Sequence, residues 1–313
     1  MNGYSIAQAV KHFIMIIMLS AVCSVQAADS ITVVFTGDIL LDRGVRLRIK
    51  NLGADALFSH SVDSLFSQAD YVVGNLECPA TEVNEPVFKR FVFRAEPEWL
   101  NVLKHHGITH LNLANNHSID QGRRGLVSTI DAVRSAGIIP FGAGSNMVEA
   151  AEAVLIAREP REVFLLPSLR LPLENMAYLS DKPCVSQESF DDILARIRLL
   201  REQHPDAVII VTLHWGVEHT LQPTIQQRLE AHRIIDAGAN AIIGHHTHTM
   251  QTVEQYHGCP IYYSIGNFIF DQLQPINTRA AVVKIIIKRQ GLEFQTLPVD
   301  ITGCVPIIKT SAQ

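Results

Sequence analysis

The chain has 313 residues, of which 47% are hydrophobic and 18% are charged, and its formal net charge is −5. This apolar content is sufficient for a large folded core and excludes a disordered or low-complexity protein. The acidic balance offers no basic stripe along which the phosphates of a polymer could bind, which argues against nucleic acid as a partner. A small anionic ligand would need a local site instead.

Residues 1–28 have the pattern of a secretory signal peptide. Lys11 precedes an apolar run at 13–19, and residues 25–27 supply a small-residue cleavage pattern. The apolar run is shorter than the ~20 residues that span a bilayer. A cleaved leader is therefore favoured over an uncleaved membrane anchor. We expect residues 29–313 to be exported to the periplasm or the cell exterior, with membrane contact only through the N-terminal segment.

Beyond the leader, short apolar runs of strand length each end in a polar or glycine-rich cluster and are followed by a helix-like segment. Because the carboxyl ends of parallel strands gather at one edge of an α/β sheet, the polar clusters can converge on one site. The chain has no tandem repeat and no long flexible linker, which favours a single domain over 29–313. Five runs are predicted as strands: 31–35, 71–73, 111–113, 207–213 and 241–243.

Helices are predicted at 97–104, 125–136 and 190–202, from a proline near a start, a glycine after an end and apolar residues at helical spacing. Residues 280–287 and 292–301 predict an antiparallel hairpin at the C-terminal end. The combination indicates an α/β fold with a mixed sheet or two packed sheets. Four cysteines follow the leader, either paired after export or free and buried: Cys78, Cys184, Cys259 and Cys304.

The polar clusters contain imidazole nitrogens together with carboxylate and amide oxygens. Such a set suits manganese, iron or zinc better than calcium or a thiolate-bound structural zinc. Two ions ~3.5–4 Å apart could polarise a phosphoryl or carbonyl oxygen and generate hydroxide near neutral pH. His117 could then protonate a leaving group. The candidate metal ligands are Asp38, Glu77, Asn116, His214, His246 and His248.

His246 and His248 are two residues apart, so in an extended segment their imidazoles would point to the same side. Each cluster alone also has a structural interpretation. A lone histidine at a strand end is usually hydrogen-bonded within the fold, and Gly37-Asp38 could be a turn or a helix cap. Five polar clusters at five strand ends favour a metal site over five independent structural roles.

Six short motifs contain most of the candidate residues: GDILLDR at 37–43, NLE at 75–77, ANNHSIDQG at 114–122, HWG at 214–216, GHHTH at 244–248 and SIGNF at 264–268. These motifs resemble the CapA-type family of capsule and poly-γ-glutamate synthesis proteins. They occur in the family order over about 31–272, nearly the whole domain. The family is similar to calcineurin-like metallophosphoesterases, which implies a four-layer α-β-β-α sandwich with two central sheets, here with the C-terminal antiparallel hairpin added.

The resemblance implies a role for each matched residue. Asp38 would bind the first metal, Glu77 would bridge two ions, and Asn116 would bind the second metal, with His117 as the general acid. His214 and His246 would bind the second metal and His248 the first. Four further residues would support these ligands or contact substrate: Arg43, Asn115, His245 and Asn267.

Two positions depart from the phosphoesterase pattern. Leu40 stands where the first motif carries a metal-binding histidine, and Glu77 replaces an aspartate. The first metal site is one ligand poorer, so the implied cofactor is one or two divalent transition metal ions. Phosphatase activity does not follow from the fold.

Three functional hypotheses remain. The first is an exported metal-dependent hydrolase that cuts a phosphoester or amide-type bond in an envelope polymer. The second is an assembly factor that binds the anionic polymer, or its synthesis and export machinery, at the same cleft without turnover. The third is a scaffold with a structural metal. The resemblance indicates capsule or poly-γ-glutamate synthesis as the process, and the identity of the polymer stays open.

Overall fold

The computed structural model describes residues 29–309, so the predicted leader at 1–28 lies outside the described residues. The strands are β1 (Ser30–Ile39), β2 (Tyr71–Leu76), β3 (His110–Asn112), β4 (Ile139–Phe141), β5 (Ala143–Gly144), β6 (Val154–Ala157), β7 (Val163–Leu169), β8 (Cys184–Val185), β9 (Val208–His214), β10 (Ala241–His245), β11 (Val253–Tyr256), β12 (Cys259–Tyr262), β13 (Asn267–Ile269), β14 (Arg279–Lys288), β15 (Leu292–Thr302) and β16 (Val305–Ile308). The helices are α1 (Arg43–Leu52), α2 (His60–Phe66), α3 (Leu100–His105), α4 (Gly122–Ser135), α5 (Met147–Ala150), α6 (Phe190–Gln203) and α7 (Ile225–Asp236), with 3₁₀ helices at Ala54–Leu57 and Pro97–Trp99.

Two large sheets contain most of the strands. The first has eight strands in the order β16-β15-β14-β1-β2-β3-β4, with β13 beside the end of β1. Strands β1 to β4 run parallel in it, while β14, β15 and β16 are antiparallel. The second sheet has the order β11-β12-β10-β9-β7-β6, parallel in the middle and antiparallel at both edges.

Alternating side chains on the strands build the layers. On β1, Val33 and Phe35 pack between the two sheets, whereas Val34 packs against the outer helices. On β9, Ile210 packs between the sheets and Ile209 packs outward with residues of α6 and α7. This follows from the two-residue period of a strand, which makes both faces of each sheet apolar. The predicted four-layer α-β-β-α sandwich is confirmed.

The predicted C-terminal hairpin is also confirmed. Strands β14 and β15 pair antiparallel from Arg279↔Asp300 to Ile287↔Leu292, joined by a short turn at Arg289-Gln290-Gly291. Because β14 also pairs with β1, the hairpin extends the first sheet and adds no separate layer. The C-terminal strands thereby support the strand that carries Asp38.

Two further features concern membranes and sulfur chemistry. Between residues 29 and 309, no helix combines the length and the apolar character that a membrane span requires. The four cysteines in this region are free thiols, with Cys78 and Cys184 buried. The sequence allowed either disulfides or free thiols at these four positions, and the structure has free thiols.

The parallel strands of both sheets end at a common edge. Asp38 lies near the end of β1, and His214 is the last residue of β9. At Gly37, an ideal Cβ would lie 2.1 Å from the backbone oxygen of Gly266, so β1 and the segment before β13 approach too closely for any side chain. This close approach, together with the Asp38 N–H bond to the Gly266 oxygen at 3.1 Å, holds Asp38 at that edge.

Candidate metal centre

Two groups of buried side chains meet at the carboxyl edge of the sheets, and Glu77 belongs to both. The first group is Asp38, Glu77 and His248, and the second is Glu77, His214 and His246. Within each group, the donor atoms lie within 4.8 Å of one another. The structure therefore brings together five of the six predicted ligands in two sets that share one carboxylate.

The sixth predicted ligand, Asn116, lies against the second group. Its Oδ1 is 2.8 Å from Nε2 of His214. The same His214 nitrogen is 3.8 Å from Oε1 of Glu77, and Nε2 of His248 is also 3.8 Å from that oxygen. Glu77 thus stands between the histidines of the two groups, as a bridging carboxylate requires.

The residues fit a divalent metal ion. Both carboxylate oxygens of Glu77 and Nδ1 of His246 are buried without a hydrogen-bond partner among residues 29–309. Buried polar atoms are nearly always paired, so three unpaired donor atoms in one place are the arrangement that a cation site presents. Burial raises the pKa of Glu77 well above its usual range, and the nearby Asp38 charge adds to the effect. A cation would compensate this charge, and the mixed nitrogen and oxygen donors suit transition metals.

The protonation states of the ligands also suit metal binding. Burial lowers the pKa of His246 to about 3, helped by the charge of His248. Burial lowers the pKa of His214 well below its usual value, with a smaller effect from the neighbouring imidazoles. Both rings are therefore neutral at physiological pH, which is the form that binds metal. Burial alone would raise the pKa of Asp38, but the His248 ring, whose Nδ1 lies 3.5 Å from Asp38 Oδ2, and the charge of His245 hold that pKa below its usual value.

His246 and His248 do not lie in the extended segment that the alternation argument assumed, although both side chains reach the predicted site around Glu77. Strand β10 ends at His245, and the next residues form a bend. Both histidines have a positive φ, 90° for His246 and 55° for His248. This conformation is rare for residues with a Cβ and is typical of functional sites. The two imidazoles consequently belong to different ligand groups, with ring centroids 6.3 Å apart.

Asn267 orients one of the histidines. Its Oδ1 accepts a hydrogen bond from Nδ1 of His248 at 2.9 Å, which leaves Nε2 of His248 toward Glu77. The Asn267 amide nitrogen donates to Gln272 Oε1 at 3.0 Å and to the Asn277 oxygen at 3.1 Å, so the orientation of the amide is determined. Such supporting hydrogen bonds select the tautomer of a ligand histidine.

Asn115 supports the site through Asn75, a residue that sequence reasoning did not select although it begins the NLE motif. Asn75 donates to Asp38 Oδ1 at 2.8 Å, and Asn115 donates to Asn75 Oδ1 at 3.2 Å. The Oδ1 of Asn115 in turn accepts the backbone N–H groups of His117 and Ser118. Buried amides thus connect the Asp38 carboxylate to the loop that carries His117.

The other two predicted supporting residues lie farther from the ligand groups. His245 contacts the Thr36 oxygen at 3.1 Å through Nε2, while its Nδ1 is buried without a partner in the described chain. Arg43 forms an ion pair with Asp271 at 3.0 Å, and its guanidinium lies 5.8 Å from the centre of the Phe93 ring. A role of Arg43 in binding an anion stays a prediction.

His117 is buried beside the ligands and contacts a second residue that the sequence reasoning missed. Its Nδ1 lies 2.8 Å from Oδ2 of Asp120, and its ring packs against Phe93 with centroids 4.3 Å apart. Burial lowers the pKa of His117, and the hydrogen bond to Asp120 opposes that shift. Asp120 lies three residues after His117 within the matched motif, so spacing alone could have revealed it.

Leu40 occupies the apolar core and supplies no donor to the first group. Its side chain is fully buried among apolar residues, and its backbone N–H bonds to the Ile269 oxygen at 2.8 Å. Among residues 29–309, the first group therefore holds three ligand side chains, whereas Asn116 gives the second group four. The second group is the better equipped to hold an ion.

Comparison with known families and proteins relates this chain to bacterial capsule synthesis proteins. Residues 32–272 match the model of the bacterial capsule synthesis protein family PGA_cap. The chain is 30% identical over 288 residues to the PGA biosynthesis protein CapA of Bacillus subtilis, covering 89% of this chain and 73% of that protein. It is also 30% identical over 291 residues to the capsule biosynthesis protein CapA of Bacillus anthracis, covering 91% and 71%.

The fold is shared with solved structures at much lower sequence identity. The NAD nucleotidase NadN of Haemophilus influenzae superposes with a TM-score of 0.51 and 8% identity, covering 90% of this chain and 54% of that one. This likeness establishes a metallophosphoesterase-type fold and carries no information on substrate.

Proposed function

The chain belongs to the PGA_cap family of bacterial capsule synthesis proteins, and from this membership and its metal centre we propose that it is an exported metal-dependent hydrolase of capsule or poly-γ-glutamate biosynthesis. The bond cut would be a phosphoester or an amide-type bond of an anionic envelope polymer. The proposal of export rests on the leader pattern at residues 1–28.

One observation carries the proposal. Glu77 is shared by two ligand groups, both its oxygens are buried and unpaired within the described chain, and His117 directly follows the candidate ligand Asn116. A purely structural metal would need one closed set of ligands. Two adjoining sets around a shared carboxylate, with a proton-transfer group beside them, are what hydrolysis needs.

The protein would contribute ligands, orientation and a proton. Asp38, Glu77 and His248 would hold one ion, and Glu77, Asn116, His214 and His246 would hold the other. The chemistry that divalent ions supply in such a site is polarisation of a phosphoryl or carbonyl oxygen and acidification of a water molecule.

His117 would move the proton. To protonate a leaving group, its imidazole must carry a hydrogen on both nitrogens, a charged state that burial disfavours. Asp120, 2.8 Å from Nδ1, stabilises that charge. Phe93 covers one face of the ring and limits access of water to it.

The test combines activity with metal content. Purified protein with added manganese or zinc should hydrolyse a model phosphoester or a γ-glutamyl polymer. His117→Ala should abolish turnover without changing the metal content, because His117 is not a ligand. His246→Ala should reduce both. Absence of hydrolysis by the wild-type protein on both substrate classes, with metal bound, would refute the enzymatic proposal.

A second function is favoured by the poorer first group, in which Leu40 supplies no donor. In this case the protein would bind the anionic polymer, or the synthesis and export machinery, at the same cleft without turnover. Wild-type protein and His117→Ala would then bind γ-glutamyl polymer with equal affinity, and neither would shorten it.

A further inference from the structure

A loop at residues 82–92, here called the strap, lies beside His117 without forming a helix or a strand. Most of it is exposed, including Phe88, which is 90% exposed. Lys89 departs from this pattern because only 3% of its side chain is exposed. A buried ammonium in an exposed loop requires specific partners, since removing a charge from water is unfavourable.

The Lys89 ammonium contacts three groups around His117. Its Nζ lies 2.5 Å from Oδ1 of Asp120, 3.0 Å from the backbone oxygen of Asn116 and 3.3 Å from Nδ1 of His117. The Asp120 carboxylate is fully buried and also accepts the N–H of Phe93 at 2.7 Å. The cation, the carboxylate and the imidazole therefore form one buried cluster.

These contacts determine which nitrogen of His117 carries a hydrogen. A carboxylate only accepts hydrogen bonds and an ammonium only donates them, so Nδ1 cannot bond to both. Asp120 Oδ2 is nearer to Nδ1, at 2.8 Å, than the Lys89 ammonium is. Nδ1 therefore carries the hydrogen and donates it to Asp120, and Nε2 is the free nitrogen of the neutral ring. The Lys89 ammonium donates a hydrogen bond to the Asn116 oxygen and forms an ion pair with Asp120 Oδ1.

We propose that Lys89 is a positioning residue for His117. Lys89 is the counterion of the buried Asp120 carboxylate, and this carboxylate accepts the hydrogen of His117 Nδ1 and leaves Nε2 free. The inference deepens the proposed function, on which it rests for the chemistry that His117 performs. The strap then acts as part of the site, because its one inward-facing cation sets the orientation of the proton-transfer group.

A second ion pair of the strap serves as the control for the alternative that Lys89 only attaches the strap to the rest of the domain. Glu85 on the strap forms an ion pair with Arg124, and both side chains are substantially exposed, at 47% and 76%. This pair ties the strap to the start of α4 without contacting His117 or Asp120. Arg124→Met therefore removes a strap contact of the same charge type, whereas Lys89→Met removes the contact to the imidazole cluster.

The experiment measures the Nδ1 hydrogen of His117 by NMR in the full chain, labelled with ¹⁵N-histidine and loaded with zinc. The signal that disappears in His117→Gln assigns the resonance. In wild-type protein we expect a protonated Nδ1 whose hydrogen exchanges slowly with solvent. In Lys89→Met the exchange should be at least tenfold faster, and in Arg124→Met it should stay within twofold of wild type. Zinc content and melting temperature verify folding, and Lys89→Gln replaces Lys89→Met if the latter does not fold.

Three results would overturn the inference: an unprotonated Nδ1 in the wild type, a wild-type exchange rate in the Lys89 variant, or equal acceleration in the Lys89 and Arg124 variants. The last result would show that the strap only needs to be tethered. None of these measurements requires turnover. A failure to find hydrolysis would therefore refute the proposed function and would be distinguishable from a failure of this inference.

Discussion

Substitution of Glu77 by glutamine should have opposite effects on the protein with and without metal. Glu77 is fully buried, and neither carboxylate oxygen has a hydrogen-bond partner among residues 29–309. A buried polar group without a partner costs about 1–3 kcal/mol, and more when it is charged. Glu77→Gln keeps the shape of the side chain but removes the carboxyl group, which the metal-free site must either bury as a charge or protonate at a raised pKa. The metal-free variant should therefore be more stable than the wild type by about 1 kcal/mol. In a domain of this size that corresponds to a rise in melting temperature of roughly 2–4 °C.

With metal the order should reverse. An ion present at a thousandfold excess over its dissociation constant stabilises the folded state by about 4 kcal/mol. The wild type should gain this increment, whereas Glu77→Gln loses the carboxylate shared by both ligand groups and should gain little. The measurement is thermal unfolding with a chelator and then with manganese or zinc, together with calorimetric titration of the ion.

Glu188 provides the matched control. It is also a buried glutamate, but it forms an ion pair with Arg196. Glu188→Gln should lower the melting temperature in both conditions and leave the increment from metal unchanged. The interpretation of Glu77 would be refuted by a Glu77→Gln variant that keeps the wild-type metal increment, or that is less stable than wild type in chelator.

Three further predictions address support of a ligand, pH dependence and close packing. Asn267→Ala should weaken metal binding by roughly 10–100-fold without unfolding the protein, because His248 loses the hydrogen-bond acceptor that orients its ring. An unchanged metal affinity in calorimetric titration would contradict the orienting role of Asn267. Burial lowers the pKa of His110 to about 4, from an ordinary value of 6.5. The folded protein is therefore fully stabilised by the neutral ring above pH 6.5, and it loses roughly 3 kcal/mol of unfolding free energy as the pH falls toward 4. Urea unfolding across this pH range should show a smaller loss of stability for His110→Phe than for the wild type. Gly37→Ala should destabilise the protein by about 3 kcal/mol or more in urea unfolding, because the new Cβ would lie 2.1 Å from the Gly266 oxygen. A near-neutral effect on stability would show that β1 and the segment before β13 can move apart.

Two elements of the structure, strand β7 and helix α7, are absent from the elements predicted from the sequence. Strand β7 is not among the five predicted strands. Its apolar run contains Pro167 and Ser168, and proline usually argues against an interior strand. Helix α7 was also missed, although Thr224 and Gln227 form a capping box at its start. This signal was present in the sequence as a T-x-x-Q spacing.

The sequence by itself determined the strand-end clusters, the C-terminal hairpin and the family, because these depend on local periodicity and on motifs of adjacent residues. The family resemblance assigned His246 and His248 to different metals, but residue spacing did not reveal the left-handed backbone at both positions, which arises in the bend after β10. The sequence also gave no sign of Lys89, a cation in a polar loop that is buried through its contacts with Asp120, Asn116 and His117. Only the tertiary structure decided these points, because they depend on contacts between segments that are distant along the chain.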